Sequence, residues 1–260
     1  KLYSGAEIVF KCLEDQDVEY IFGYPGGAAI PLFDALVDSK IELILTRHEQ
    51  GATHMADGYA RSSGKVGVAM ATSGPGAANM VTGIATAMMD SVPIVCITGQ
   101  VPRAAIGSDA FQETDIAGAV IPVSKHSYLV MDINDLANTI KEAFAVARSG
   151  RPGPVLVDIP KDIQTQSVEF IYPEGPIVIP GNNIIQKANP NDLEEAISLI
   201  YKAERPVILA GHGILLSGAS KEVMELAEIA NIPIAWTLLG SGAIPSSHPL
   251  NMGMMGMHGE

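Results

Sequence analysis

The chain has 260 residues, 47% of them apolar and 17% charged, and its 29 acidic against 16 basic residues leave a net charge of −13. Such a length holds a full core and two domains of roughly 100 to 200 residues each. The acidic balance, with no cluster of Lys or Arg, excludes a nucleic-acid surface, which needs a basic face to neutralise phosphates, and no apolar stretch approaches the roughly 20 residues of a membrane span.

From Ser4 to about Ile159 the pattern alternates helix and strand. Short β-branched strands fall at Ile41–Thr46, Val66–Met70, Ile94–Ile97 and Val155–Ile159. Runs that are apolar on both faces belong in a parallel sheet covered by helices. Between them, 77–89 is rich in Ala and Met and predicts a helix opening at a Gly-Pro-Gly turn, and 134–148 predicts one that starts at an Asn/Asp cap and stops at Gly150. Periodicity fades between about Pro160 and Pro190, where Pro173, Pro176, Pro180 and Pro190 together with Gly175 and Gly181 mark a linker. A strand-helix-strand unit follows: a helix capped at 191–194, a strand at 206–210, the turn Gly211-His212-Gly213, a helix over 221–230 and a strand at 232–235. Alone, that turn is weak evidence for a nucleotide site, because tight turns use the same residues. The expected organisation is a first domain over 1–165, a linker over 166–190 and part of a second domain over 191–260.

Cys12 and Cys96 fall within a predicted helix and a predicted strand, at a spacing that suits neither a metal nor a disulfide framework, and read as buried thiols of a reducing cytoplasm. The N-terminus lacks a signal-peptide pattern. A first residue Lys1 and an end at His258-Gly259-Glu260, directly after a Met/Gly-rich loop, suggest an excerpt of a longer chain.

One carboxylate stands out. Glu49, in Arg47-His48-Glu49-Gln50 just past a predicted strand, sits where strand gives way to helix, so both its ionisation and its direction can be controlled. That suits a catalytic acid or base, although a lone Glu in an α/β domain is more often a solvated charge or a cap. Gly-rich turns follow other strands at 24–27, 73–76 and 99–103, each able to bring backbone close to a ligand. Ligands in such folds collect beyond the carboxyl ends of the strands, where all four segments fall.

Six ordered segments, Phe22–Gly27, Arg47–Gln50, Ala71–Asn79, Ile97–Arg103, Asp109–Thr114 and Gly150–Pro154, together with 236–243 and 253–259, closely resemble the catalytic subunit of acetolactate synthase, or acetohydroxyacid synthase. The resemblance covers the whole chain. It implies a parallel-sheet, three-layer thiamine-diphosphate-binding (pyrimidine) domain, followed by part of a Rossmann-like central FAD-binding domain. The family decarboxylates pyruvate and joins the resulting enamine to pyruvate or 2-ketobutyrate, in branched-chain amino-acid synthesis. By resemblance Glu49 hydrogen-bonds N1′ of the aminopyrimidine and favours its imino form, which removes the thiazolium C2 proton. Gln112 polarises an intermediate oxygen and Phe111 shapes the pocket; otherwise the two would be an exposed loop amide and a core aromatic. Pro25, Gly26, Gly27 and Asn79 match positions around the pyrimidine, and turn geometry alone could account for the glycines. Pro102 and Arg103 match the substrate channel, with a surface ion pair as the alternative for the Arg.

Arg151, Gly211, Gly213, Thr237, Leu238, Met257, His258 and Gly259 match segments that contact FAD in the family. Mg²⁺ and the cofactor's diphosphate belong to a third domain absent from this sequence, so the chain alone is expected to be inactive. A cytoplasmic homodimer or higher oligomer is implied, with a regulatory small subunit as a possible partner. Two departures stand out: Ala78 replaces a common Thr, and 177–181 carries no Arg where several relatives place one near the flavin. Competing readings are another thiamine-diphosphate decarboxylase or carboligase, such as pyruvate oxidase or sulfoacetaldehyde acetyltransferase, and a non-catalytic nucleotide-binding or assembly module.

Overall fold

A computed structural model describes residues 1–179, 181, 187–257 and 259. In chain order the elements are β1 (Leu2–Ser4), α1 (Gly5–Asp15), β2 (Tyr20–Gly23), α2 (Ile30–Leu36), β3 (Glu42–Leu45), α3 (Glu49–Ser63), β4 (Gly67–Ala71), α4 (Pro75–Ala78), α5 (Val81–Asp90), β5 (Ile94–Gln100), α6 (Ile116–Ala119), β6 (His126–Leu129), α7 (Ile133–Arg148), β7 (Val155–Pro160), α8 (Lys161–Thr165) and β8 (Ser167–Glu169). The remainder are α9 (Pro190–Lys202), β9 (Ile208–Ala210), α10 (His212–Ser217), α11 (Ser220–Ala230), β10 (Ile234–Trp236) and β11 (Asn251–Met254). The chain divides into two compact units, Lys1–Asn183 and Ile184–Glu260.

In the first unit six strands pair in parallel in the order β3-β2-β4-β5-β7-β6. The central strands are apolar on both faces because both are covered. Val68 and Met70 of β4 and Val95 and Ile97 of β5 join α1, α2 and α7 in one core, with Leu13, Leu32 and Phe144 fully buried. Their neighbours Ala69, Ala71, Ile94 and Cys96 face the other way, onto α3 and α5. These are the two apolar faces expected of a strand buried in a three-layer α/β domain. Burial pushes both thiols up to about 12, so neither is reactive at neutral pH.

Local signals explain the boundaries. Ser4 and Glu7 form a reciprocal capping box at the start of α1. Asp132 caps α7 by accepting from the Asn134 amide. The Ala/Met-rich stretch is not one helix: α4 ends at Ala78, and Asn79 and Met80 separate it from α5. The stretch taken as the start of a linker is partly ordered. Residues 161–165 form α8, and β8 pairs antiparallel with β1, Tyr3 opposite Val168. The first helix of the second unit is capped by Asn189, two residues before the expected cap. That unit has a parallel sheet in the order β11-β10-β9, with Ala210, Ala227, Ile234, Ala243 and Ile244 at its core. Among the described residues, no helix is long and apolar enough to cross a membrane.

Candidate active site

The loops that follow β2, β3, β4 and β5 leave the same edge of four adjacent parallel strands. After β3, Thr46 turns the chain by donating from its hydroxyl to the Gly23 and His48 carbonyls. The imidazole of His48 then accepts from the Gln50 amide as the N-cap of α3, which makes Glu49 the first residue of that helix. Its carboxylate therefore sits where the helix dipole favours negative charge. The residue is only 8% exposed, so it is not a solvated surface charge.

Three neighbours define the surroundings of that carboxylate. Asn79, in the break between α4 and α5, donates from Nδ2 to Oε2 at 2.9 Å. Gly76 lies beside the other oxygen: a Cβ there would stand 3.2 Å from Oε1 and 2.7 Å from Thr72 Cγ2. Thr72, just past β4, also lies against Gly26, where a Cβ would come within 2.6 Å of Thr72 Cβ, and its hydroxyl accepts from the Ala28 amide at 3.1 Å. Gly26 is thus required by Thr72, whereas Gly27 faces open space. Two further residues hold the turn at 26–29 from beneath. Lys161 Nζ donates to the Gly27 carbonyl at 3.0 Å, and Gln164 Nε2 to the Ala28 carbonyl at 2.9 Å.

Phe111 and Gln112 occupy a turn reached from β5. Phe111 is 88% exposed, which removes the core-aromatic alternative. Gln112 has φ +58° and Asp109 φ +55°, uncommon conformations for side-chain-bearing residues and the kind of strain that collects at functional sites. Gly74, itself at φ +57°, admits this turn, since a Cβ there would stand 2.6 Å from the Gln112 carbonyl oxygen. Glu113 staples the turn by accepting from the amides of Gly107 and Ala110, and these bonds hold its carboxylate below the usual range.

Other expected site residues have partners within the chain. Arg103 is held by Asp162, with Nε 2.7 Å from Oδ2 and its backbone amide 2.9 Å from Oδ1, while Nη1 donates to the Met131 carbonyl at 2.8 Å. Pro102, next to it, is exposed. Pro25 is exposed beside Gly26. Arg151 is exposed and caps the C-terminus of α5, donating to the Met88 and Met89 carbonyls at 3.1 and 3.0 Å and to Ser91 Oγ at 2.6 Å.

In the second unit, Gly211 follows β9, Thr237 and Leu238 follow β10, and Met257 and Gly259 follow β11, so all lie at one end of a parallel sheet. Thr237 donates its amide to the Ala210 carbonyl at 3.0 Å, which places it directly beside Gly211. Gly213 lies in the first turn of α10, and Leu238 and Met257 are 72% and 92% exposed. His258 lies outside the described residues. Among the described residues, no group of three or more His, Cys, Asp or Glu converges to hold a metal ion.

Thr72, Lys161, Gln164 and Asp158 are absent from the sequence-based site. Asp158, in β7, is 1% exposed, and burial pushes its carboxyl up to about 7, against the opposing hydrogen bonds from Thr98 and Gln100. A native value above the ordinary one, near 3.8, means stability is fully present below about pH 4 and is lost as pH rises through 7. Asp158→Asn is therefore expected to raise the melting temperature relative to wild type more at pH 8 than at pH 4.5. Calorimetry at the two pH values checks this, and an equal change at both would contradict it.

A buried carboxylate at a helix start, flanked by glycines, thus stands at the carboxyl edge of a parallel sheet, where the ligands of such folds collect. Residues 3–119 match the family described as thiamine pyrophosphate enzyme, N-terminal TPP binding domain, and residues 193–260 match thiamine pyrophosphate enzyme, central domain. The chain belongs to the thiamine pyrophosphate enzymes, as a homologue of acetolactate synthase large subunits. It is 50% identical to a probable acetolactate synthase large subunit of Methanocaldococcus jannaschii over 98% of this chain and 44% of that protein. It is 49% identical to acetolactate synthase of Mycobacterium bovis over 98% of this chain and 41% of that protein. Against the acetolactate synthase large subunit of Buchnera aphidicola subsp. Schizaphis graminum, identity is 49% over 100% of this chain and 46% of that protein. The chain thus spans less than half the length of these curated relatives.

Proposed function

We propose that the intact protein is an acetolactate synthase that decarboxylates pyruvate and condenses the product with pyruvate or 2-ketobutyrate. The observation that carries this reading is the Glu49 carboxylate, buried at the head of α3 and oriented by Asn79. Thiamine diphosphate, when bound, supplies an acidic carbon and a ring that accepts the electron pair left by decarboxylation. Glu49 holds a proton at N1′ of the pyrimidine. Asn79 occupies Oε2, which leaves Oε1 for that nitrogen, since among the described residues no donor is bonded to it. Pro25, Gly26, Gly27 and Gly76 provide a thin backbone wall for the ring. Phe111 shapes the pocket around the reacting centre, and Gln112 donates from its amide to a developing oxyanion.

Arg103 presents a cation at the entrance used by carboxylate substrates, with Pro102 beside it. FAD is proposed from the segments that resemble the family's: Arg151 in the first unit, and Gly211, Gly213, Thr237, Leu238, Met257, His258 and Gly259 in the second. In the second unit, glycine-bearing turns at strand ends suit a nucleotide. No described residue of this chain is assigned to Mg²⁺ or to the diphosphate. A homodimer is favoured by Met55 of α3 and Met89 of α5, which are 48% and 75% exposed, and a cytoplasmic location is proposed from the family resemblance alone. The domain limits proposed from sequence, 1–165 and 191–260, fall inside the two compact units, the first of which also takes in β8 and runs to Asn183.

Asn79→Ala removes a hydrogen bond to a charged group, worth about 1.5 to 3 kcal/mol, and is expected to lower kcat by roughly ten- to a hundredfold. The loss should fall on turnover with little change in cofactor affinity, because Asn79 orients Glu49 and Glu49 works in the reaction. Steady-state kinetics on pyruvate, with acetolactate assayed against acetaldehyde and acetyl phosphate, test both the residue and the reaction. Acetyl phosphate or acetaldehyde as the main product would overturn the proposed activity.

A further inference from the structure

Asp158 takes no part in the chemistry proposed above, yet it stands at the end of a short chain of contacts leading into the site. Thr98 Oγ1 donates to its Oδ1 at 2.7 Å, and Gln100 Nε2 donates to its Oδ2 at 2.8 Å. Thr98 is its register partner on β5, and Gln100 lies two residues further along the same strand. The Gln100 amide is fully used. Its Oε1 accepts from the Val101 amide at 2.8 Å, and Nε2 also donates to the Thr114 carbonyl at 2.8 Å. A primary amide has two N–H groups, so one serves Asp158 and the other serves Thr114.

Thr114 ends the turn that carries Phe111 and Gln112. Glu113 closes the near side of that turn, the Gly74 contact supports it at Gln112, and the Gln100 bond anchors its far end, where the Thr114 carbonyl also accepts from the Ile116 amide at 2.8 Å. Thr98, Gln100 and Asp158 are 0%, 4% and 1% exposed, so no solvent competes for these bonds. An unanchored glutamine amide could flip, presenting oxygen rather than N–H to the Thr114 carbonyl. The Val101 amide and the ionised Asp158 together oppose that orientation, because an ionised carboxylate accepts and does not donate.

We propose that Asp158 is a positioning residue that acts through Gln100 to fix the Phe111–Gln112 turn, and that its ionisation state makes the turn's order depend on pH. The inference rests on the reading that this turn borders the reaction space. The contact from Gln100 is charge-assisted when Asp158 is ionised and weakens when the carboxyl is protonated. Burial raises its pKa, the bonds from Thr98 and Gln100 lower it, and the charge acting on it is that of Asp115, the N-cap of α6, which raises it. From β6 its register partner is the uncharged Leu129, and just past that strand the Val130 amide donates to the Asp158 carbonyl at 3.0 Å.

The test is amide hydrogen exchange over residues 107–116 in the intact protein without cofactor or substrate, expressed as protection factors between pH 5.5 and 8.5. Wild type is expected to lose protection about fivefold on acidification, with a midpoint near 7. Asp158→Asn should abolish the step. Thr98→Val, which deletes one bond favouring the ionised form while keeping the side chain's shape, should move the midpoint upward, and it serves where Asp158→Asn does not fold. The same ionisation should appear as an acid limb in the kcat/KM profile of wild type. A step unchanged in Asp158→Asn, or a midpoint unmoved in Thr98→Val, would overturn the inference. Because exchange is read without turnover, failure here leaves the Glu49 reading standing. Absence of pyruvate turnover in wild type, with the exchange step intact, would sink the Glu49 reading instead.

Discussion

Replacing Glu49 by Gln in the intact enzyme is expected to lower pyruvate turnover by about 10² to 10⁴, the usual worth of a positioned proton-transfer group. The substitution is nearly isosteric, and the new amide oxygen can still accept from Asn79, so packing around the 8%-exposed side chain should be kept. What disappears is a group that can hold a negative charge against a ring nitrogen. Thermal stability should therefore change little while kcat collapses. Near-normal turnover in a correctly folded Glu49→Gln protein would remove the mechanism.

The largest stability effect is expected from Gly67→Ala, at the first residue of β4. A Cβ there would overlap the Ala56 carbonyl oxygen of α3 and lie 2.7 Å from its carbon. The contact is backbone on both sides, so no rotamer change relieves it. α3 lies close to the sheet because its inner face is alanine, with Ala52, Ala56 and Ala60 all buried. One turn away along α3, Gly83 of α5 is also constrained, since a Cβ would stand 2.5 Å from Thr53 Cβ. Two glycines thus let neighbouring elements pack closely on this helix. Overpacking of this kind costs about 1 to 3 kcal/mol and occasionally more, which for a domain of this size lowers the melting temperature by roughly 2 to 4 °C per kcal/mol. Because Glu49 opens α3, activity should fall as well, through a residue distant from the chemistry. Gly64, at φ +72° with open space around it, provides the comparison. Gly64→Ala should cost only the left-handed backbone penalty, about 1 kcal/mol, and spare turnover. A Gly67→Ala protein as stable as wild type would contradict the packing described for α3.

Much of this arrangement is written locally in the chain. The position of Glu49 is legible because an apolar run ends at Thr46 and a capping residue follows two positions later, which places a carboxylate at a helix start. The two-faced central strands are legible because parallel, doubly covered strands read as uninterrupted apolar runs. Other features depend on contacts between residues far apart in sequence. Thr72 looks like an ordinary residue before a Gly-Pro-Gly turn, and its role comes from lying against Gly26, 46 positions earlier. Arg103 could not be matched with Asp162, 59 residues away, until β5 and β7 were seen to be neighbours. The break at Asn79 was hidden by the helix-forming composition on either side, although it sets the Asn79 amide on Glu49. α8 and β8 escaped notice because a five-residue helix and a three-residue strand carry too little periodicity to register, and β8 is defined by its pairing with β1. Asp158 did leave a trace, as the one charged residue in the otherwise apolar run Val155–Pro160. A lone carboxylate in a covered strand is buried by default, and that alone marks it for scrutiny.

The most direct test of the central claim follows the C2 proton of bound thiamine diphosphate, by measuring its exchange with deuterium in the intact wild-type enzyme and in Glu49→Gln. With Glu49 holding the proton at N1′, exchange should be faster in wild type by about a hundredfold or more. Equal exchange rates in the two proteins, with cofactor bound to both, would contradict it.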